Sequence, residues 1–179
     1  MTIEKEKQWL ATAFMAGFIG GILFANLFAR DYVTTSGIFN PYFLNQYAQA
    51  DVPAKEYAVY LAGVRSVPLI LIVLLGQTKI RKVLVSVSLA WFGFSGGMIA
   101  CGAILNMGMA GVIFWLVGMI PQFVFYALAY LIVLWYFFTY PKARWNPAKT
   151  IFVIFFLTAG LVTEAYVNPI LMQLFLKTI

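Results

Sequence analysis

Apolar residues fall in five long runs along this chain, and most charged residues gather between or beside them. The runs cover about 9–29, 54–75, 83–105, 112–138 and 151–176. A helix rises 1.5 Å per residue, so roughly 20 apolar residues cross the hydrocarbon layer of a bilayer, and each run is long enough. The pattern predicts an all-α, polytopic integral membrane protein: a helical bundle of five transmembrane spans forming a single domain over 1–179. Between the first two spans, residues 30–53 are expected to form an extracytoplasmic interfacial segment. Asn40 before Pro41 has the form of a helix N-cap and first-turn proline, and Tyr42, Phe43, Leu44 and Tyr47 offer amphipathic side chains to the interface. A partner-docking surface is the competing reading of that segment. Asp51 and Pro53 open the second span in the same way, with Glu56 in its first turn, where the helix dipole favours an acid.

Proline and glycine punctuate the spans. Pro68 is expected to kink the second, and Asn106-Met107-Gly108 reads as the turn between the third and fourth. The fourth run is longer than one crossing needs and is interrupted by Gly118-Met119-Ile120-Pro121-Gln122. Two forms stay open for it: a tilted helix with a proline kink, or a half-helix ahead of a full span, the second being favoured. Asn146-Pro147 repeats the cap-then-proline start and launches the last span. Gly17 and Gly21 in the first span, and Gly93 and Gly97 in the third, make small-residue faces that allow close helix approach. Packing within the chain is the favoured use of these faces; a homo-oligomer contact is the alternative.

Composition narrows the class further. Of 179 residues, 63% are hydrophobic and 10% charged, too apolar to hide inside one soluble domain. The formal charge of +6 comes from cations flanking apolar runs, a placement that sets topology and meets lipid headgroups, so no nucleic-acid partner is expected. Lys5, Lys7, Lys79, Arg81, Lys82, Lys142, Arg144 and Lys149 fall on one side of a five-span chain; Arg30, Lys55 and Lys177 fall on the other. The positive-inside rule then puts the N-terminus in the cytoplasm and the C-terminus outside it. The charged residues 1–8 read as a short tail before a retained first span, with Trp9 as its interfacial anchor and no cleavage site following.

Few residues offer chemistry. Histidine is absent and Cys101 is the lone thiol, so neither a Cys/His metal site nor a disulfide can be built, and no cofactor is expected. Without histidine there is no Ser-His or Cys-His couple, and Asp31 and Asp51 lie outside the spans, which leaves no intramembrane aspartyl pair. The chain reads as a non-enzyme. Arg65 and Glu164 stand out because each lies near the middle of a span. A charge there costs about 2.5–3.5 kcal/mol on insertion scales unless it is compensated. They are expected to form an intramembrane pair joining the second and fifth spans. A structural staple is the favoured role and a proton or ion relay the other. Gln122 and Asn168 are expected to satisfy backbone freed by Pro121 and Pro169, or to bond across helices, and Thr158 and Thr163 can do the same; a polar substrate pocket is the alternative.

The order of elements in the C-terminal part resembles the stage II sporulation protein M family of small bacterial membrane proteins. A glycine-rich span (Gly93, Gly96, Gly97) precedes a short apolar stretch ending at Pro121. A long helix and a basic loop follow, and the last span carries Gly160, Glu164 and Pro169. The likeness covers roughly residues 57–176. Family members often carry histidine and glycine after the proline of the fourth stretch, where this chain has Gln122 and Phe123. The resemblance implies a non-enzymatic scaffold in the bacterial cytoplasmic membrane, whose partners are the lipid bilayer and other membrane or cell-envelope proteins. Its alternative within the family is a companion of an ABC-type exporter, and a transporter subunit or small channel is the runner-up function.

Overall fold

A computed structural model describes residues 3–35, 42, 44–46 and 54–178. The helices are α1 Ile3–Leu27, α2 Arg30–Thr35, α3 Ala54–Gly76, α4 Arg81–Met107, α5 Met109–Thr139, α6 Pro147–Val162 and α7 Asn168–Leu176, with a π turn, Thr163–Val167, joining the last two. Among the described residues, five stretches are long and apolar enough to cross a membrane: α1, α3, α4, α5 and the combined α6–α7. Asn40, Pro41, Phe43, Tyr47, Asp51 and Pro53, and with them the expected interfacial helix and second cap, lie outside the described residues.

Three boundaries differ from expectation. α1 begins at Ile3, so the charged residues before Trp9 are helical, and Glu4 and Glu6 sit in the first turn, where the macrodipole favours acids. α2 adds a short helix at the start of the polar segment. The fourth run is one continuous helix of 31 residues through Pro121, and the half-helix does not form. A proline removes one amide donor and crowds the carbonyl four residues back, but every other backbone group in an apolar solvent still needs its helical partner. One lost bond is too little to end the helix. α3 runs through Pro68 for the same reason.

The described helices fall into two compact units. The first contains α1, α2 and residues 86–115, which include most of α4. Here α1 and α4 run parallel at a separation only glycine permits. A Cβ on Gly17 would stand 2.0 Å from the Ala90 carbonyl oxygen, and one on Gly21 2.1 Å from that of Phe94. In return, a Cβ on Gly93 would stand 2.1 Å from the Phe14 oxygen and one on Gly97 2.2 Å from that of Phe18. The glycine faces thus interlock within the chain. Lipid tails are as apolar as side chains, so such backbone contact supplies the dispersion energy that burial supplies in water. Polar pins hold the register: Trp9 Nε1 donates to Ser86 Oγ at 3.0 Å, and Asn106 Nδ2 to the Val33 carbonyl at 3.0 Å. The turn after α4 is Gly108 alone, in the left-handed region at φ 60°, its N–H donating to the Ile104 carbonyl at 2.8 Å.

The second unit contains α3, residues 81–85, α5 from Leu116, α6, the π turn and α7. Gly76 lies under the Phe137 ring, where a Cβ would come within 2.6 Å. Gly118 sits against Met172 and Gly160 against Tyr126, which makes α3 parallel and α6–α7 antiparallel to α5. At the start of α6, Asn146 accepts from the Lys149 N–H at 3.1 Å and Pro147 occupies the first turn.

The glycines give a sharp contrast to measure. Gly21→Ala should lower thermal stability in detergent by about 1–3 kcal/mol, because its methyl meets backbone. Gly20→Ala, whose Cβ would meet only the Phe94 ring at 4.0 Å, should be neutral or mildly stabilising. Equal effects at the two positions would mean that α1 and α4 do not touch through Gly21.

Candidate intramembrane ion-pair site

Arg65 projects from the middle of α3, and Glu164 from the π turn near the middle of the last span. Their side chains meet as a two-pronged pair: Arg65 Nε donates to Glu164 Oε2 at 3.0 Å, and Nη2 donates to Oε1. The planar guanidinium matches a carboxylate in this way, whereas an ammonium would offer only a point charge. Two tyrosines of α5 complete the network. Tyr126 donates its hydroxyl to Glu164 Oε2 at 2.7 Å, and its ring lies 5.3 Å from the Arg65 guanidinium carbon. Tyr130 donates to the Arg65 backbone carbonyl at 3.0 Å. That carbonyl is next to the one Pro68 deprives of its amide partner, so the tyrosine supports α3 where it is weakest.

Local sequence explains how the acid is presented. Pro169 lacks an N–H and crowds the carbonyl four residues back, and the helix ahead of it widens to π geometry. The Asn168 N–H reaches back to the Thr163 carbonyl, and Glu164 and Ala165 are both buried. Gly160 clears space for the neighbouring ring: a Cβ there would stand 2.7 Å from Tyr126 Cε1. A carboxylate that accepts from Arg65 twice and from Tyr126 once is well supplied with donors. Such an arrangement ties α3, α5 and the π turn together through one side chain.

Other residues singled out in the sequence lie nearby or elsewhere. Gln122 is buried; its Nε2 donates to the Gly118 carbonyl, and its Oε1 has no partner among the described residues. The carbonyl that Pro121 leaves unpaired is that of Val117, so Gln122 does not perform the expected repair. Asn168 Oδ1 is also buried without a partner among the described residues, while Pro169 follows it as the first-turn proline of α7. Gly118 against Met172 and Tyr126 against Glu164 place Gln122 and Asn168 at the same level of their two helices. Thr163 donates to the Ala159 carbonyl within its own helix at 2.8 Å, and Thr158 is exposed. Gly17, Gly21, Gly93 and Gly97 belong to the first unit. That unit also holds an apolar cavity of about 360 Å³, lined in part by Phe18, Ile22, Cys101 and Trp115.

Tyr126 and Tyr130 do not stand out in the sequence. Aromatic residues make up 18% of the chain, and nothing in spacing alone separates these two from packing or interfacial rings. Their signal was positional: they lie four apart near the middle of an apolar span, where a hydroxyl needs an acceptor. No protein-family model, curated protein or solved structure matches the chain.

Breaking the pair should cost far more than removing it whole. Arg65→Glu and Glu164→Arg should each abolish accumulation in the membrane, since a stranded or repelling buried charge costs about 3–5 kcal/mol. The double exchange should recover part of the wild-type level on immunoblot, and no recovery would rule out the brace. Tyr126→Phe should lower thermal stability in detergent by about 1.5–3 kcal/mol, the range for a hydrogen bond to a charged group.

Proposed function

We propose that this chain is a non-enzymatic scaffold of a bacterial cytoplasmic membrane that gathers cell-envelope proteins, with its N-terminus in the cytoplasm and its C-terminus outside. The open side of Arg65 carries this reading. Its side chain is 42% exposed near mid-span, against 6% for Glu164. Glu164 takes Nε and Nη2 on one side of the guanidinium, and the rest of the group stays open. Lipid tails offer no acceptor at that depth, so a partner helix bearing a carboxylate, hydroxyl or amide would relieve the guanidinium. The resemblance to the stage II sporulation protein M family supplies the scaffold class, and it rests on the order of elements alone. The orientation rests on the excess of cations on one side of the spans.

A transport role is the second reading, favoured by the unpartnered buried oxygens of Gln122 and Asn168 beside the prolines of two spans. Their acceptors could line a polar path through the second unit.

Affinity purification in mild detergent, with the partners identified by mass spectrometry, separates these readings. The wild type should retain an envelope protein such as a peptidoglycan hydrolase. Arg65→Met combined with Glu164→Leu should accumulate nearly as well, because apolar replacement of a whole buried pair is often neutral, and should lose that partner. A variant that keeps the partner would remove Arg65 as the docking point. A copurifying ATPase, or ion flux in proteoliposomes, would replace the scaffold with a transport component.

A further inference from the structure

Six cations gather at one end of the second unit. Lys79, Arg81 and Lys82 lie in or beside the loop joining α3 to α4, and Lys142, Arg144 and Lys149 in or beside the loop joining α5 to α6. Aromatic rings tie these two loops together. The Arg81 guanidinium lies 4.3 Å over the Tyr140 ring, Tyr140 meets Tyr136 edge-on at 6.1 Å, and Tyr136 meets Trp145 at 5.0 Å. The Lys149 ammonium is 5.7 Å from the Tyr136 ring and donates to the Arg144 carbonyl at 2.6 Å. Stacking of this kind holds the Arg81 guanidinium and the Lys149 ammonium in place.

The two loops themselves carry no acid: the acidic residues of the chain are Glu4, Glu6, Asp31, Asp51, Glu56 and Glu164. α1 and α3 begin with acids in the first turn, as the dipole favours. α4 and α6 have none there and carry Arg81, Lys82 and Lys149 instead. Topology requires cations on one side of a membrane; it does not require them to be stacked on a shared set of rings.

We propose that this wall binds the phosphate of an anionic phospholipid headgroup, held by Arg81, Arg144 and Lys149, with Tyr136, Tyr140 and Trp145 seated at the glycerol level. Phosphate suits the donors, and the site lies just beyond candidate spans that end at Gly76 and Thr139 and begin at Arg81 and Pro147. A lipid fits better than a soluble phosphate because apolar side chains flank the cations. Ile80, Val83 and Ile151 are 58%, 63% and 66% exposed beside them, where acyl chains would cover them. The site requires only that the chain sits in a bilayer, and it stands or falls separately from the scaffold role.

Native mass spectrometry of the full-length protein, titrated with phosphatidylglycerol and with phosphatidylcholine of the same acyl chains, tests the site. The wild type should retain the anionic lipid with a preference of about tenfold or more. Arg81→Gln/Arg144→Gln/Lys149→Gln should lose that preference. Lys5→Gln/Lys7→Gln/Arg30→Gln, which removes the same charge from the first unit, should keep it. Equal retention of the two lipids by the wild type would overturn the proposal, as would an equal loss in both triple variants. Displacement of the lipid by glycerol phosphate at matched ionic strength would assign the wall to a soluble anion and overturn it too. If the first triple variant does not fold, Arg144→Gln, at an exposed side chain, takes its place. A several-fold loss of preference supports the site, and an unchanged preference refutes it.

Discussion

A carboxylate carried to the centre of a bilayer costs about 2.5–3.5 kcal/mol on insertion scales when nothing compensates it. The second unit is arranged around Glu164 so that this cost is met. Arg65 comes from α3 and Tyr126 from α5, while the π turn directs the acid between them. One side chain therefore fixes the relative register of three helices. Tyr130 strengthens the arrangement from the backbone side by holding the Arg65 carbonyl. A network of this sort is cooperative, because each donor raises the acceptor strength of the next group and the low dielectric penalises any that is missing.

The first unit meets the same solvent differently. It has no charge at mid-depth to satisfy, and its helices gain nothing by hiding apolar surface from apolar lipid. What remains is close approach. Gly17 and Gly21 admit the carbonyls of α4, and Gly93 and Gly97 admit those of α1, so two backbones touch along a parallel seam. The polar contacts of Trp9, Asn26 and Asn106 then set which turn meets which. Electrostatic compensation in one unit and steric intimacy in the other are the two ways this chain holds helices together in lipid.

Most of each span's surface is left outside the chain's own packing, as expected for helices that face lipid. Against that apolar background the polar exceptions stand out, since an unsatisfied group in hydrocarbon has no water to turn to. The open side of Arg65 and the stacked cations at the ends of α3 to α6 are such exceptions. One lies at mid-depth, where lipid tails supply no acceptor. The other lies at the headgroup level, where a phosphate can supply one.

Hydropathy and charge are read one residue at a time, and what depends on them was legible in the linear chain. The five spans and the pairing of Arg65 with Glu164 follow from the local cost of putting a residue type in lipid, and the Asn146-Pro147 cap and the glycine faces from the backbone geometry those residue types allow. The structure alone decided what depends on which faces meet. Tyr126 and Tyr130 are two aromatics among many until α5 is laid beside α3 and the π turn. The helix continues through Pro121 because a single missing amide cannot outweigh the hydrogen bonds on either side of it. The last span widens at Thr163–Val167 because Pro169 disturbs the turn before it, and α1 reaches back to Ile3 because its glutamates suit the positive end of the helix dipole. A one-dimensional pattern records how much each residue dislikes its solvent. Only the folded chain records which neighbour relieves it.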